Sequence, residues 1–193
     1  PSENLNIIGI TGTNGKTTTT LMTYEILKKA GLNVGLAGNI GVSFAKQVAE
    51  HDFDYYVLEI SSFQLDDIEN FAPHIALITN ITPDHLDRYN YSFESYIQAK
   101  LKIAKNQTET NFFLFNSDDE TLVDSLKNIA IKSQKIPFSI EPKDDSLSYL
   151  EEDQIILNHK KKSTMIHSAE FPFAGRHNLL NAMAASTIAS LLE

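Results

Sequence analysis

The residues best placed to do chemistry lie in one early run, Gly9-Ile10-Thr11-Gly12-Thr13-Asn14-Gly15-Lys16-Thr17-Thr18. Glycines before a helix let backbone N–H groups point inward, and the helix N-terminus adds partial positive charge, so such a turn is built to hold phosphate. Lys16 is spaced to reach the outer phosphates, and the Thr17 hydroxyl to hold Mg²⁺. The usual phosphate-loop spacing asks for glycine six residues before the lysine, where this chain has Ile10. An ordinary glycine-rich turn is the plainer alternative. The apolar stretch before the run reads as a buried strand, and residues 17–30 as a helix offering Leu21, Met22, Ile26 and Leu27 to a core.

Further polar residues cluster after apolar runs. Glu59 follows one, with Ser61, Ser62 and Gln64 behind it, and a carboxylate at a strand end beside a phosphate loop suits Mg²⁺. After residues 75–79 come Asn80, then Thr82-Pro83-Asp84-His85-Leu86-Asp87-Arg88. Thr82 as N-cap and Pro83 at the first helical position would explain this turn. His85 reads as a metal or substrate contact, or as a plain surface imidazole. Residues 92–106 read as a helix, and stepping about 100° per residue puts Phe93, Tyr96 and Ala104 within about 40° of Lys100. A lysine in the middle of an inward stripe can snorkel, pair with a carboxylate, or lose its proton and become a nucleophile. Asn178 and Asn181, three apart at the start of a last helix, can cap it or read the edge of a nucleobase.

These residues need strands to carry them. Apolar runs at 5–10, 34–37, 55–60, 75–79, 112–115 and 136–140 alternate with helical patterns at 17–30, 43–50, 92–106 and 120–130. The early runs are continuous, as in strands buried on both faces of a parallel sheet. The expected class is therefore α/β, a wound, mostly parallel sheet flanked by helices. Short segments at 146–150, 154–158 and 163–167 predict a small antiparallel meander added to it. The basic run from His159 to Lys162 reads as a solvated turn.

The 193 residues suit one domain, and a net charge of −9 argues against a nucleic-acid scaffold. With no cysteine there is no disulfide, thiolate zinc site or cysteine nucleophile. No apolar stretch approaches a membrane span and no signal peptide opens the chain, so a soluble, intracellular protein is expected. Both ends look cut from something longer.

From Gly9 to about Ala185 the chain resembles the central, ATP-binding domain of the Mur ligases, which build the peptide of bacterial cell-wall precursors. The pieces that carry the resemblance are Thr11 to Thr17, Gly38-Asn39-Ile40-Gly41, Leu58-Glu59-Ile60-Ser61-Ser62-Phe63-Gln64-Leu65, Thr79 to Tyr89, Ala99-Lys100 and Gly175-Arg176-His177-Asn178. The second, third and fourth pieces look most like the member that adds D-glutamate to UDP-N-acetylmuramoyl-L-alanine. The resemblance implies a cytoplasmic, ATP-driven amide ligation through an acyl phosphate. It implies ATP on Gly12, Thr13, Asn14, Gly15, Lys16, Thr17 and Thr18, with adenine on Asn178 and Asn181. Mg²⁺ would sit on Thr17 and Glu59, and a second ion on His85 and a Lys100 carbamylated by CO₂; Lys16, Glu59, His85 and Lys100 would be catalytic. Asn39, Ser61 and Gln64 fall where the family contacts the muramoyl-alanine part. Nucleic acid and membrane insertion are not expected, and the family's N-terminal UDP-binding and C-terminal amino-acid-binding domains are not in this chain. A sister or folylpolyglutamate-synthase-like ligase, or a non-catalytic nucleotide-binding module, is the alternative. The presence together of Lys16, Thr17, Glu59, His85 and Lys100 speaks against the module, which would need only the loop.

Overall fold

The computed structural model describes residues 5–143, 146–159, 162–171 and 175–192. Nine strands form one sheet in the order β2-β3-β1-β4-β5-β6-β7-β8-β9. The parallel part comprises β1 (Asn6–Thr11), β2 (Val34–Gly38), β3 (Tyr55–Glu59), β4 (Ile75–Ile78), β5 (Phe112–Asn116) and β6 (Gln134–Phe138). Then β7 (Ser148–Glu151) pairs in parallel with β6 through Phe138 and Ser148, while β8 (Gln154–His159) and β9 (Lys162–His167) run antiparallel beyond it. The wound sheet and the added meander are both as expected. His159 and Lys162 pair across the β8–β9 hairpin; Lys160 and Lys161, the middle of the basic run read as a turn, lie outside the described residues.

Among the described residues six α-helices cover the sheet: α1 (Lys16–Lys29), α2 (Phe44–Glu50), α3 (Ser62–Asp66), α4 (Phe93–Leu101), α5 (Glu120–Lys127) and α6 (Arg176–Leu191). Strand side chains alternate between two apolar layers. Ile8, Ile10, Val57, Ile75, Leu77 and Leu114 pack with Met22 and Leu27 of α1 and Ala182, Met183 and Ile188 of α6. Tyr56, Leu58, Ala76, Ile78, Phe113 and Phe115 pack on the other face with Leu65, Ile97, Leu101 and Leu122. Both faces are covered, which is why the strand sequences are continuously apolar.

Three local expectations change. No helix starts at Pro83: Thr82 is held instead by the Thr13 side chain, which accepts from its N–H at 3.0 Å and donates to its carbonyl at 3.1 Å, while Asn14 Nδ2 donates to its hydroxyl at 3.4 Å. The turn that follows is a 3-10 helix, Leu86–Tyr89, entered through His85 in a left-handed conformation at φ 49°. The helix expected over 92–106 ends as α at Leu101 and tightens to a 3-10 turn, Lys102–Ala104. The short α3 was not foreseen.

Deleting a large side chain from the sheet's interior measures how much this layering contributes. Phe113→Ala, at a fully buried position, should lower unfolding free energy by about 3–5 kcal/mol. Leu21→Ala, on the exposed side of α1, should change it by about 0.5 kcal/mol or less. Urea midpoints for the two variants check the contrast.

Candidate functional site

Strand β1 lies between β3 and β4, so the turn after it emerges where their carboxyl ends converge. Thr11 pairs with Ile78 and Ile10 with Glu59. Between strand and helix, the chain turns through Gly12 at φ 144° and Gly15 at φ 81°. A Cβ on Gly12 would collide with the Thr79 side chain, and one on Gly15 with the Asn181 amide. Only glycine fits either place.

The end of β4 pins the loop. Thr79 N–H donates to Thr11 O at 3.0 Å and Thr13 N–H to Asn80 O at 2.9 Å. The Asn80 amide accepts from Asn14 N–H and donates to Asn14 O, both at 2.9 Å. Thr79 Oγ1 donates to the same carbonyl at 2.7 Å. Thr13 Oγ1 also meets the Tyr96 hydroxyl at 3.1 Å. Thr79, Asn80, Thr82 and Tyr96 thus belong to the site although the residue pattern marked none of them as binding. A polar pair directly after a fully apolar strand was the available signal.

Lys16 opens α1 and folds back, donating to the carbonyls of Gly12 at 3.0 Å and Thr13 at 2.8 Å. Burial lowers its pKa, with Glu59 and then Asp84 pulling the other way. Thr17 donates to Glu59 Oε2 at 2.6 Å, and Asn39 Nδ2 to Oε1 at 2.8 Å. Both oxygens of this buried carboxylate are therefore held. A hydroxyl and a carboxylate side by side are hard oxygen donors of the kind Mg²⁺ takes, with phosphate and water completing its shell. Among the described residues no three His, Asp or Glu side chains gather as a metal cage.

Lys100 does not snorkel. It is 1% exposed and reaches back under the loop, with Nζ donating to Gly12 O at 2.7 Å and lying 4.5 Å from the Tyr96 ring centroid. Burial first, and then Lys16, lower its pKa to about 7, against a weaker pull from Asp84. Two lysines thus converge on one carbonyl oxygen. His85 lies at the surface, 3.6 Å from Asp84, with its ring edge toward Phe63 at 6.3 Å. Ser61 and Gln64 engage each other as the capping box of α3.

A cleft of about 650 Å³ continues from Asn14, Gly15 and Thr18 past Asn80 and Thr82 to Asn116, Asp118 and Phe138, with Asn178 and Asn181 along one side. Asn181 is buried and accepts from Thr19 Oγ1 at 3.1 Å. Phosphate loop, Thr17–Glu59 pair, buried lysine and flanking cleft are therefore one continuous site. Ser61, the N-cap of α3, and Gln64, within it, stand apart from these contacts.

Residues 10–189 match the family model of the Mur ligase middle domain. The chain is 50% identical over 187 residues to the UDP-N-acetylmuramoylalanine--D-glutamate ligase of Christiangramia forsetii, covering 97% of this chain and 42% of that protein. It is 47% identical over 185 residues to the protein of the same name from Bacteroides fragilis, covering 96% and 41%. Among solved structures, a pseudomurein peptide ligase type C from Methanothermus fervidus shares 25% identity at a TM-score of 0.73, over 100% of this chain and 47% of its own. This chain therefore spans less than half the length of the curated relatives it matches.

The state of Lys100 has a thermodynamic signature. Between about pH 7 and its ordinary value of 10.5 the unfolded chain binds a proton there that the folded chain does not, so its contribution to stability rises with pH across that window. Below pH 7 both states are protonated and the contribution is flat. Lys100→Met should remove this rise. Urea denaturation of both chains at pH 7 and 9 tests it, and equal pH slopes would contradict the assignment.

Proposed function

This chain belongs to the Mur ligase middle-domain family, and from that premise we propose that it is the ATP-binding centre of an amide ligase joining D-glutamate to UDP-N-acetylmuramoyl-L-alanine in the cytoplasm. The observation that carries the reading is the 2.6 Å contact between Thr17 and Glu59 at the head of a phosphate loop. The relatives at 50% and 47% identity, both D-glutamate ligases by name, support the choice of substrate. The rest of the ligating machinery, a UDP-binding and an amino-acid-binding domain, belongs on this reading to the parts of those relatives that the present chain does not span.

ATP phosphorylates the terminal carboxylate of the UDP-linked substrate and leaves as ADP. The D-glutamate amine then attacks the acyl phosphate, and the tetrahedral intermediate expels phosphate. What the reaction asks of the protein is charge management and alignment. The N–H groups of Gly12 to Gly15 and of the first turn of α1, with Thr18, cradle the phosphates. Lys16 swings from its own loop's carbonyls to the outer phosphates. Thr17 and Glu59 would hold Mg²⁺, which when bound would supply neutralising charge at the phosphoryl group being transferred. Asn39 fixes the Glu59 carboxylate and lies next to the acceptor, with Ser61 and Gln64 beyond it. Asn178 and Asn181 meet the adenine.

Lys100 has the prerequisite for a further role. Only a neutral amine reacts with CO₂, giving a carbamate and releasing a proton, and a pKa near 7 supplies that amine at physiological pH. The carbamate, with His85, is the proposed holder of a second metal ion.

Titration calorimetry with Mg·ATP tests the loop: Lys16→Ala should weaken binding about tenfold or more, since it removes a charge-assisted contact to phosphate. Equal affinities would contradict the assignment. In a protein spanning the full length of its relatives, Lys100→Arg should fold and lose nearly all D-glutamate ligation, while Lys100→Glu retains a trace. Near-normal turnover by Lys100→Arg would end the carbamate proposal. The 193-residue chain alone should release no phosphate in response to both substrates together.

A further inference from the structure

The cleft beside the phosphate loop has two polar walls, and their hydrogen bonds differ in what they leave over. On the β4–β5 side, most of the polar capacity is consumed within the protein. Asp119 accepts from Ile81 N–H at 2.7 Å with one oxygen and from Leu122 N–H at 3.0 Å with the other. Asp118 accepts from Ile140 N–H at 2.7 Å and binds Lys143 at 2.8 Å. The Asn80 amide is committed to Asn14 at both ends. Each oxygen of the two carboxylates is thus already engaged once within the protein.

Asn116 is the exception. It is the last residue of β5, lines the cleft and is 6% exposed. Its Oδ1 accepts from Asp118 N–H at 3.0 Å. A backbone N–H can only donate, so the atom facing it must be the carbonyl oxygen, and the amide's orientation is fixed by chemistry. The NH₂ end then has no acceptor among the described residues. The NH₂ end is not closed off from solvent, so it opens into the cleft, where water accepts from it until a ligand does. Across the cleft, Asn181 Oδ1 accepts from Thr19 Oγ1 at 3.1 Å.

We propose that Asn116 is a nucleoside-specificity residue whose Nδ2 donates to a lone-pair acceptor, a ring nitrogen or a ribose oxygen, on the nucleoside of the bound triphosphate. This inference rests on the reading of the phosphate loop as an ATP site and adds the wall opposite Asn181 to it. The cleft then presents side-chain amides from two elements, β5 and α6.

The test compares two ligands on two chains. ATP engages loop and cleft, whereas inorganic tripolyphosphate engages the loop alone. Asn116→Asp keeps an oxygen for Asp118 N–H and the same shape, but replaces the donor with a second acceptor. Calorimetry should show ATP binding weakened at least tenfold in the variant with tripolyphosphate binding unchanged. In the wild-type chain, one member of a set of 1-deaza, 3-deaza, 7-deaza and 2′-deoxy ATP analogues should lose affinity comparably. That analogue should show no further loss on the variant, which identifies the acceptor atom. Unchanged ATP affinity in Asn116→Asp overturns the proposal. So does an equal loss of ATP and tripolyphosphate, the behaviour of a residue that merely supports the loop. Failure of the wild-type chain to bind either ligand would instead remove the phosphate-loop reading, and this inference with it.

Discussion

Residues 11–15 must follow a backbone path with left-handed glycines and inward-facing N–H groups, and nothing within those residues holds that path. The end of β4 does. Thr79 and Asn80 meet Thr11, Thr13 and Asn14 with hydrogen bonds of 2.7–3.0 Å, and the Asn80 side chain pairs with Asn14 as a backbone peptide would. The loop is thereby fixed to the sheet, and every other contact of the site is measured from it. Lys16 and Lys100 both find the Gly12 carbonyl because that carbonyl is held still. Asn181 can press on Gly15 because Gly15 cannot retreat.

Preorganisation of this kind separates holding from doing. The groups that fix geometry, Thr79, Asn80, Thr82 and Tyr96, spend their hydrogen bonds inside the protein. Those proposed to do chemistry are parked on weaker or replaceable partners: Lys16 on two loop carbonyls, Thr17 on Glu59, Lys100 on a carbonyl beneath an aromatic ring. A lysine on a neutral carbonyl has everything to gain from an arriving phosphate. Moving it requires no rearrangement of the scaffold.

Much of this was legible in the residues because the physics is local. Strands sheathed on both faces have to be continuously apolar, and 55–58 and 75–78 are. Lys100 could be placed in the core by counting 100° steps, since a helix repeats whatever surrounds it. The glycine turn announces itself because only glycine takes its dihedrals. What escaped is long-range or too short to repeat. Five residues of α3 show no periodicity. Thr82-Pro83 carries every local mark of a helix start, yet Thr13, sixty-nine positions away, claims its backbone. Asn39 could be matched to a family motif, but its grip on the Glu59 carboxylate depends on β2 lying next to β3, an order that no local pattern encodes. Asn116 looked like any polar residue ending a strand.

The contact between Thr19 and Asn181 joins positions 162 residues apart. The α1 and α6 sides of the site are thus separated in sequence by eight of the nine strands, β2 to β9. Closing so long a loop is a late event in folding, because its entropy must be overcome before the contact can form. During synthesis, the ribosome delivers the phosphate loop first and the wall beside it last. A nascent chain that carries the loop without α6 has the phosphate end of the site and lacks the Asn181 side, which is added only when α6 packs along α1.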